Sequence, residues 1–278
     1  MKLNFFLISI ALLFLLASCK KNDAINNNND NNSTSSRLKQ YVAVNGQDTL
    51  IKFTYSYDSE NRIVESQKLL FQSGLQDYNV ITHFIYNGND SLPARANYSE
   101  VDLTGADPVY NYSEHFYYTG SGLLFKDSIA RPSLNPLVYN FSYFPDHFTV
   151  ITNFRDTIYA HQNIINGNIS NEIDTVFGYS TSPLYVNDEF HFDDYKNPFQ
   201  YTEVPRPLIY MPENFIQDFE TPAFKNNPIS IHLVTTGSNL SETNTTYTYS
   251  YNAEGYPVTA HQQDEISGEN VEGFYYYE

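Results

Sequence analysis

One unit recurs along this chain and limits the folds open to it. An aromatic, a spacer and a tyrosine end an alternating run, and a residue that tolerates positive φ follows four positions later. Clear copies are Tyr55-Ser56-Tyr57 with Asn61, Phe84-Ile85-Tyr86 with Asp90, Phe116-Tyr117-Tyr118 with Gly122, and Tyr249-Ser250-Tyr251 with Gly255. Looser copies are Phe141-Ser142-Tyr143 with Asp146 and Phe190-His191-Phe192 with Asn197. The key aromatics at 57, 86, 118 and 143 are 29, 32 and 25 residues apart, and those at 192 and 251 follow after 49 and 59, about twice the unit. Alternation with period two, broken by turn residues at short intervals, is the signature of antiparallel strands. A repeat of this length is a hairpin of roughly ten-residue strands.

The fold class that follows is all-β: an antiparallel meander of repeated hairpins forming a curved sheet or a soluble barrel. Composition agrees, because 25 Tyr and 20 Phe beside no Trp and 12 Gly is a strand-rich inventory in which aromatics fill the core. Phe53, Tyr55 and Tyr57 share one strand face, while Lys52, Thr54 and Ser56 share the other. Thr246, Thr248 and Ser250 repeat that polar face near the end of the chain. A membrane-spanning barrel needs an apolar outer band, so these polar faces favour a barrel held outside the bilayer.

Lys2 and the apolar run Phe5 to Leu16 lead into Leu16-Ala17-Ser18-Cys19, a secretory signal closed by a lipobox. The run is shorter than the roughly 20 residues that a spanning helix needs. Residues 1–18 therefore read as a signal peptide, residues 19–36 as a lipidated cysteine with a disordered Asn/Ser-rich tether, and residues 37–278 as one all-β domain. The tract Asn26 to Asn32, interrupted by Asp30, and then Ser33 to Ser36 have nothing apolar to bury. Cys19 is the one cysteine in the chain, so lipidation there leaves no thiol for catalysis, disulfides or sulfur-bound zinc.

The Ser18-Cys19-Lys20-Lys21 start resembles bacterial lipoproteins, which implies diacylation of Cys19 and cleavage before it. With lysine rather than aspartate after the cysteine, the resemblance implies the outer membrane, on its periplasmic side or at the cell surface. Tyr57-Asp58 with Asn61-Arg62-Ile63 resembles the tyrosine-aspartate repeat of RHS proteins. More of the chain is similar to a family of Bacteroidetes outer-membrane lipoproteins of unknown function with a porin-like β fold. The matching segments are the start, Phe192-Asp193-Asp194-Tyr195-Lys196-Asn197-Pro198-Phe199, Asn226-Asn227-Pro228, and the run Tyr249 to Pro257. That family implies a fold and no mechanism. Pro205, Pro207, Pro212 and Pro222 interrupt the strands, and Glu213 to Phe219 is expected to hold a helical turn or two over an open end.

Candidate chemistry is sparse. Glu189, His191 and Asp193 point the same way on a strand at roughly 7 Å intervals, a spacing that could present three ligands to a metal. The alternative is a polar strand face running into an acidic turn. The seven histidines form no HExxH or HxH, and no nucleophile elbow, phosphate loop or dinucleotide turn is present. The expectation is therefore not an enzyme, with no cofactor. Five triplets of Asp, Ser or Thr, then an aliphatic residue place Thr49, Ser91, Ser128, Thr157 and Thr175 in a pattern resembling the O-glycosylation acceptor of exported Bacteroidetes proteins. Strands that begin after an Asp turn would give the same triplets.

A formal charge of −17 repels phosphate and argues against nucleic acid as a partner. The expected partner is the membrane, through the lipid on Cys19, together with a carbohydrate, protein or lipid ligand. Two readings stay open. In one, the protein is a non-enzymatic binding or surface protein that meets carbohydrate or protein through Tyr and Phe faces. In the other, it is a carrier or chaperone for a lipid or other apolar envelope component, its sheet closed around a cavity. A glycan hydrolase is a distant third, because carboxylate separation is a property of the fold.

Overall fold

The computed structural model describes residues 36–105, 110–130, 135–144, 148–152, 157–165, 168–177, 184–201, 225–236 and 241–278. The signal, Cys19, most of the tether and the segment Pro205 to Phe224 lie outside the described residues. Among the described residues sixteen strands follow one another: β1 Leu38–Asn45, β2 Asp48–Tyr57, β3 Ile63–Gln72, β4 Leu75–Ile85, β5 Arg95–Asp102, β6 Tyr110–Tyr118, β7 Leu124–Ala130 and β8 Leu137–Tyr143. Then come β9 Phe148–Thr152, β10 Thr157–Ile165, β11 Asn168–Phe177, β12 Leu184–Lys196, β13 Asn226–Thr236, β14 Ser241–Tyr251, β15 Pro257–Asp264 and β16 Asn270–Tyr277. Each pairs antiparallel with its neighbour in sequence, and β1 also pairs with β16 through Tyr41 opposite Tyr275 and Ala43 opposite Gly273. The meander therefore closes into a barrel, which abolishes the free edges of an open sheet.

Alternation decides what faces inward. Ile51, Phe53 and Tyr55 on β2 are buried, as are Tyr41 and Ala43 on β1, Phe116 on β6, Val150 on β9 and Tyr275 on β16. Their neighbours Lys52, Thr54 and Ser56 lie on the opposite face, so the polar rows expected outside are outside. Thr246, Thr248 and Ser250 likewise alternate with the inward Tyr247 and Tyr249. The inner wall also carries buried polar side chains: Thr82, Asp102, Glu114, Asp127 and Asp188. Tyr98 donates a 2.6 Å hydrogen bond to Glu114, and Asp102 accepts from the backbone and hydroxyl of Thr104.

The recurring tyrosine has a definite task. At the rim where β1 begins and β16 ends, the hydroxyls of Tyr57, Tyr86, Tyr118, Tyr143, Tyr249 and Tyr277 donate to the carbonyls of Leu38, Ile63, Pro93, Leu124, Pro228 and Pro257, at 2.7 to 3.1 Å. In five of the six the tyrosine ends or directly follows one strand of a hairpin and the acceptor starts or precedes the other; Tyr249 and Pro228 each lie two residues inside their strands. Such a bond is worth about 0.5–1.5 kcal/mol net and satisfies a carbonyl that the ladder leaves over. Arg37 and Arg62 lie over the Tyr57 and Tyr86 rings at 5.0 and 4.5 Å. Burial raises the phenols of Tyr57, Tyr249 and Tyr277 well above their ordinary range, and those of Tyr86 and Tyr143 to about 12.

The latches and turns depart from simple repetition at two places. In the last repeat Tyr251 ends β14 as expected, while the latching hydroxyl is that of Tyr249, and Tyr277 supplies a further latch outside the repeats. In the Phe84 copy the residue at positive φ is Gly88 rather than Asp90, while Asn61, Gly122 and Gly255 occupy that region as expected. Their turns share one construction: Asp58 accepts from the Glu60 and Arg62 amides, and Asn252 from the Glu254 and Tyr256 amides. Among the described residues the 3-10 turn Pro198–Tyr201 covers the rim; the helical turn expected at Glu213 to Phe219 lies outside them. Asn197 caps it by accepting from the Phe199 amide. Phe199, 1% exposed, drives into the barrel end, edge-on to Tyr41 at 5.3 Å and 5.9 Å from Tyr275.

Candidate functional site

Two of the three residues with metal-ligand spacing stay together and one leaves. Glu189 and His191 stand on the outer face of β12 with the His191 Nε2 3.3 Å from the Glu189 carboxylate. The register then shifts between His191 and Phe192. That shift turns Asp193 toward the rim, where it accepts from Asn227, from the Tyr195 amide and from the Tyr251 hydroxyl. Burial, then this bond, raises the Tyr251 phenol, and the ring stacks on Tyr195 at 3.9 Å. As the side chains are turned, no three His, Cys, Asp or Glu side chains among the described residues surround one point.

The candidate glycan acceptors are scattered. Thr49 is next to the start of β2, Ser91 is exposed in the connection before β5, and Ser128 and Thr175 lie mid-strand on the outer face of β7 and β11. Thr157 opens β10. Asp127, before Ser128, is 2% exposed inside the barrel, so that triplet is not a strand start after a turn. Three histidines that the sequence did not single out prove to be paired across the outer wall. His83 meets Glu65, His232 meets Glu242 and His261 meets Glu272 at 3.2, 3.0 and 2.6 Å. Glu65 with His83 and His261 with Glu272 are directly opposite in adjacent strands, a relation that only register reveals.

One candidate ligand site lies on the outer wall of β4 to β7. It is an open groove of about 600 Å³ lined by His83, Asn97, Tyr98, Ser99, Asn111, Tyr112, Ser113 and Ala130. Its floor comes from a duplicated tetrapeptide, Asn97-Tyr98-Ser99-Glu100 on β5 and Asn111-Tyr112-Ser113-Glu114 on β6. The two copies run antiparallel with Asn97 opposite Ser113, Tyr98 opposite Tyr112 and Ser99 opposite Asn111. Alternation sends the tyrosines inward, where they stack at 4.5 Å, and sends the amides and hydroxyls out. Short side chains in the middle of a wall leave a trough between taller neighbours. The repeated tetrapeptide was readable in the sequence. Its meaning was not, because only the register sets the copies face to face.

Further along β6 the same wall turns aromatic. Tyr117, Lys126, Asn140 and Ile151 form one row across four strands. Tyr117 is 41% exposed and Phe125 42%. Their rings are 6.3 Å apart and inclined at 53°, and the Lys126 ammonium lies 5.0 Å over Tyr117. A ladder bulge between Tyr117 and Tyr118 pushes Phe125 out of the alternation. The platform is four residues from Ser113, or roughly 13 Å along the strand. Groove and platform together offer hydrogen-bonding groups beside apolar rings.

No family model matches the chain, and no curated protein matches it significantly. Among solved structures it is similar to a porin-like protein from Bacteroides vulgatus ATCC 8482, with a TM-score of 0.43 and 12% identity over 87% of this chain and 99% of that one. It is also similar to a porin-like protein from Bacteroides uniformis ATCC 8492, with a TM-score of 0.48 and 13% identity over 87% of this chain and 96% of that one. No helix among the described residues is long and apolar enough to cross a membrane.

Proposed function

We propose that the protein is an exported, lipid-tethered, non-enzymatic binding protein that takes neutral carbohydrate on the outer wall of β4 to β7. One observation carries this reading: in a chain of formal charge −17, the groove is lined by amides, hydroxyls, tyrosines, one histidine and one alanine, with no carboxylate, lysine or arginine. Asn and Ser side chains can both donate to and accept from sugar hydroxyls, and the nearby rings suit the apolar faces of a sugar. The carrier reading draws less support, because Tyr41, Phe199 and Tyr275 pack against one another inside the barrel where an apolar ligand would have to lie. The lipobox at Cys19 supports the tether, and outer-membrane attachment follows from that sequence signal.

A glycan array probed with the full-length lipoprotein, followed by calorimetry on the best hit, tests this. Asn97→Asp, which places a charge in the groove, and Phe125→Ala, which removes the platform, should each weaken binding at least about tenfold. Unchanged affinity in both variants would refute the assignment. A lipid retained in the native mass spectrum would favour the carrier instead, and a denatured mass without acyl chains on Cys19 would remove the tether.

A further inference from the structure

A second groove, of about 530 Å³, opens on the wall formed by β12, β13 and β14, remote in strand order from the first. It is lined by Glu189, His191, Ser230, His232, Glu242 and Asn244, with Glu265 and Ile266 from the β15 to β16 turn. Two imidazoles and three carboxylates therefore face one depression, a donor set unlike that of the uncharged groove.

Register makes the arrangement specific. Glu189 and His191 occupy alternate positions on the outer face of β12, and His232 on β13 stands directly opposite Glu189. Alternate residues of a strand are roughly 7 Å apart, and directly opposed residues roughly 5 Å. The three side chains thus spring from a small triangle, short enough for two imidazoles and a carboxylate to meet around one ion. Glu242 extends the set, its carboxylate 3.0 Å from the His232 Nε2. Each imidazole at present faces a single carboxylate oxygen. All four side chains are between 41% and 61% exposed, and each lies at the surface of the groove.

The geometry points to a divalent transition-metal site formed by Glu189, His191 and His232, with Glu242 as a fourth ligand or as the acceptor that orients the His232 ring. Imidazole and carboxylate donors in a four-coordinate arrangement suit Zn²⁺ and its neighbours, whereas Ca²⁺ prefers six or more oxygens. Asp193 takes no part, because the bulge after His191 has turned it to the rim.

The test is calorimetric titration of the full chain with Zn²⁺ alone, and with Co²⁺ as a visible reporter of ligand field. One ion per chain is expected, with affinity reduced at least about tenfold in His191→Ala and in His232→Ala. His83→Ala and His261→Ala, which remove equivalent His–Glu pairs on other parts of the wall, should leave that affinity unchanged. Circular dichroism establishes that each variant is folded. Absence of binding to the wild type would overturn the proposal. So would binding that survives both His191→Ala and His232→Ala, equal loss in His83→Ala or His261→Ala, or equal affinity for Ca²⁺.

Discussion

Raising the pH should unlatch the barrel before it damages anything else. The hydroxyls of Tyr57, Tyr249 and Tyr277 each donate to a backbone carbonyl at one rim, and burial raises their phenols well above the ordinary value near 10. A phenol held neutral by the fold keeps its proton longer than the same group in the unfolded chain. As pH climbs past about 10 the unfolded state sheds protons first, so stability is complete below that value and falls above it. Each such tyrosine costs about 1.4 kcal/mol at one unit above its unfolded pKa, so these three together cost about 4 kcal/mol at pH 11. That is a large part of the 5–15 kcal/mol typical of a folded domain. Urea midpoints measured from pH 8 to 11, with tyrosinate absorbance followed in parallel, give the slope. The expected result is a steady loss of stability from about pH 10, with the latch phenols ionising only as the barrel unfolds. Tyr57→Phe should flatten the slope by about one proton while costing about 1 kcal/mol at neutral pH. A stability independent of pH between 10 and 11, or a full complement of tyrosines titrating normally in the folded protein, would refute the latch as drawn.

Three other outcomes follow from the packing. Phe199→Ala should cost about 3–5 kcal/mol, seen as a shifted urea midpoint, because the ring is buried between Tyr41 and Tyr275. Gly273→Ala should cost about 1–3 kcal/mol in the same assay, since a Cβ there would stand 3.0 Å from the Tyr41 ring, which has no room to withdraw. Asn61, at a φ of 64°, should tolerate Gly within a few tenths of a kcal/mol, whereas Asn61→Ala should cost about 1–2 kcal/mol in thermal or urea unfolding. Both variants lose the bond that Arg37 donates to Asn61, so the difference between them reads the backbone strain alone.

Much of the fold was legible because its physics is local. Period-two alternation assigns Phe53 and Tyr55 to one face and Lys52 and Thr54 to the other without reference to any distant residue. Turn chemistry is equally local: Asp58 and Asn61, or Asn252 and Gly255, close a loop with bonds that span four residues or fewer. The repeat was visible as well, because each hairpin presents the same tyrosine to the same kind of carbonyl. Its exact member was not: the same register shift precedes Tyr57, Tyr118 and Tyr251, yet the latch falls on Tyr57, Tyr118 and Tyr249, according to which carbonyl lies within reach across the hairpin.

What only the tertiary structure decided is everything that depends on register between strands. Closure required β1 to meet β16, more than two hundred residues away along the chain. The groove required two Asn-Tyr-Ser-Glu segments to pair antiparallel, and the histidines acquired partners only when Glu65 came opposite His83 and Glu272 opposite His261. The expected trio of Glu189, His191 and Asp193 failed for the same reason, since spacing on one strand says nothing of where a bulge will fall. A strand's own sequence determines which side chains share a face; the residues across from it, and any ladder bulges between them, determine what those side chains can do together.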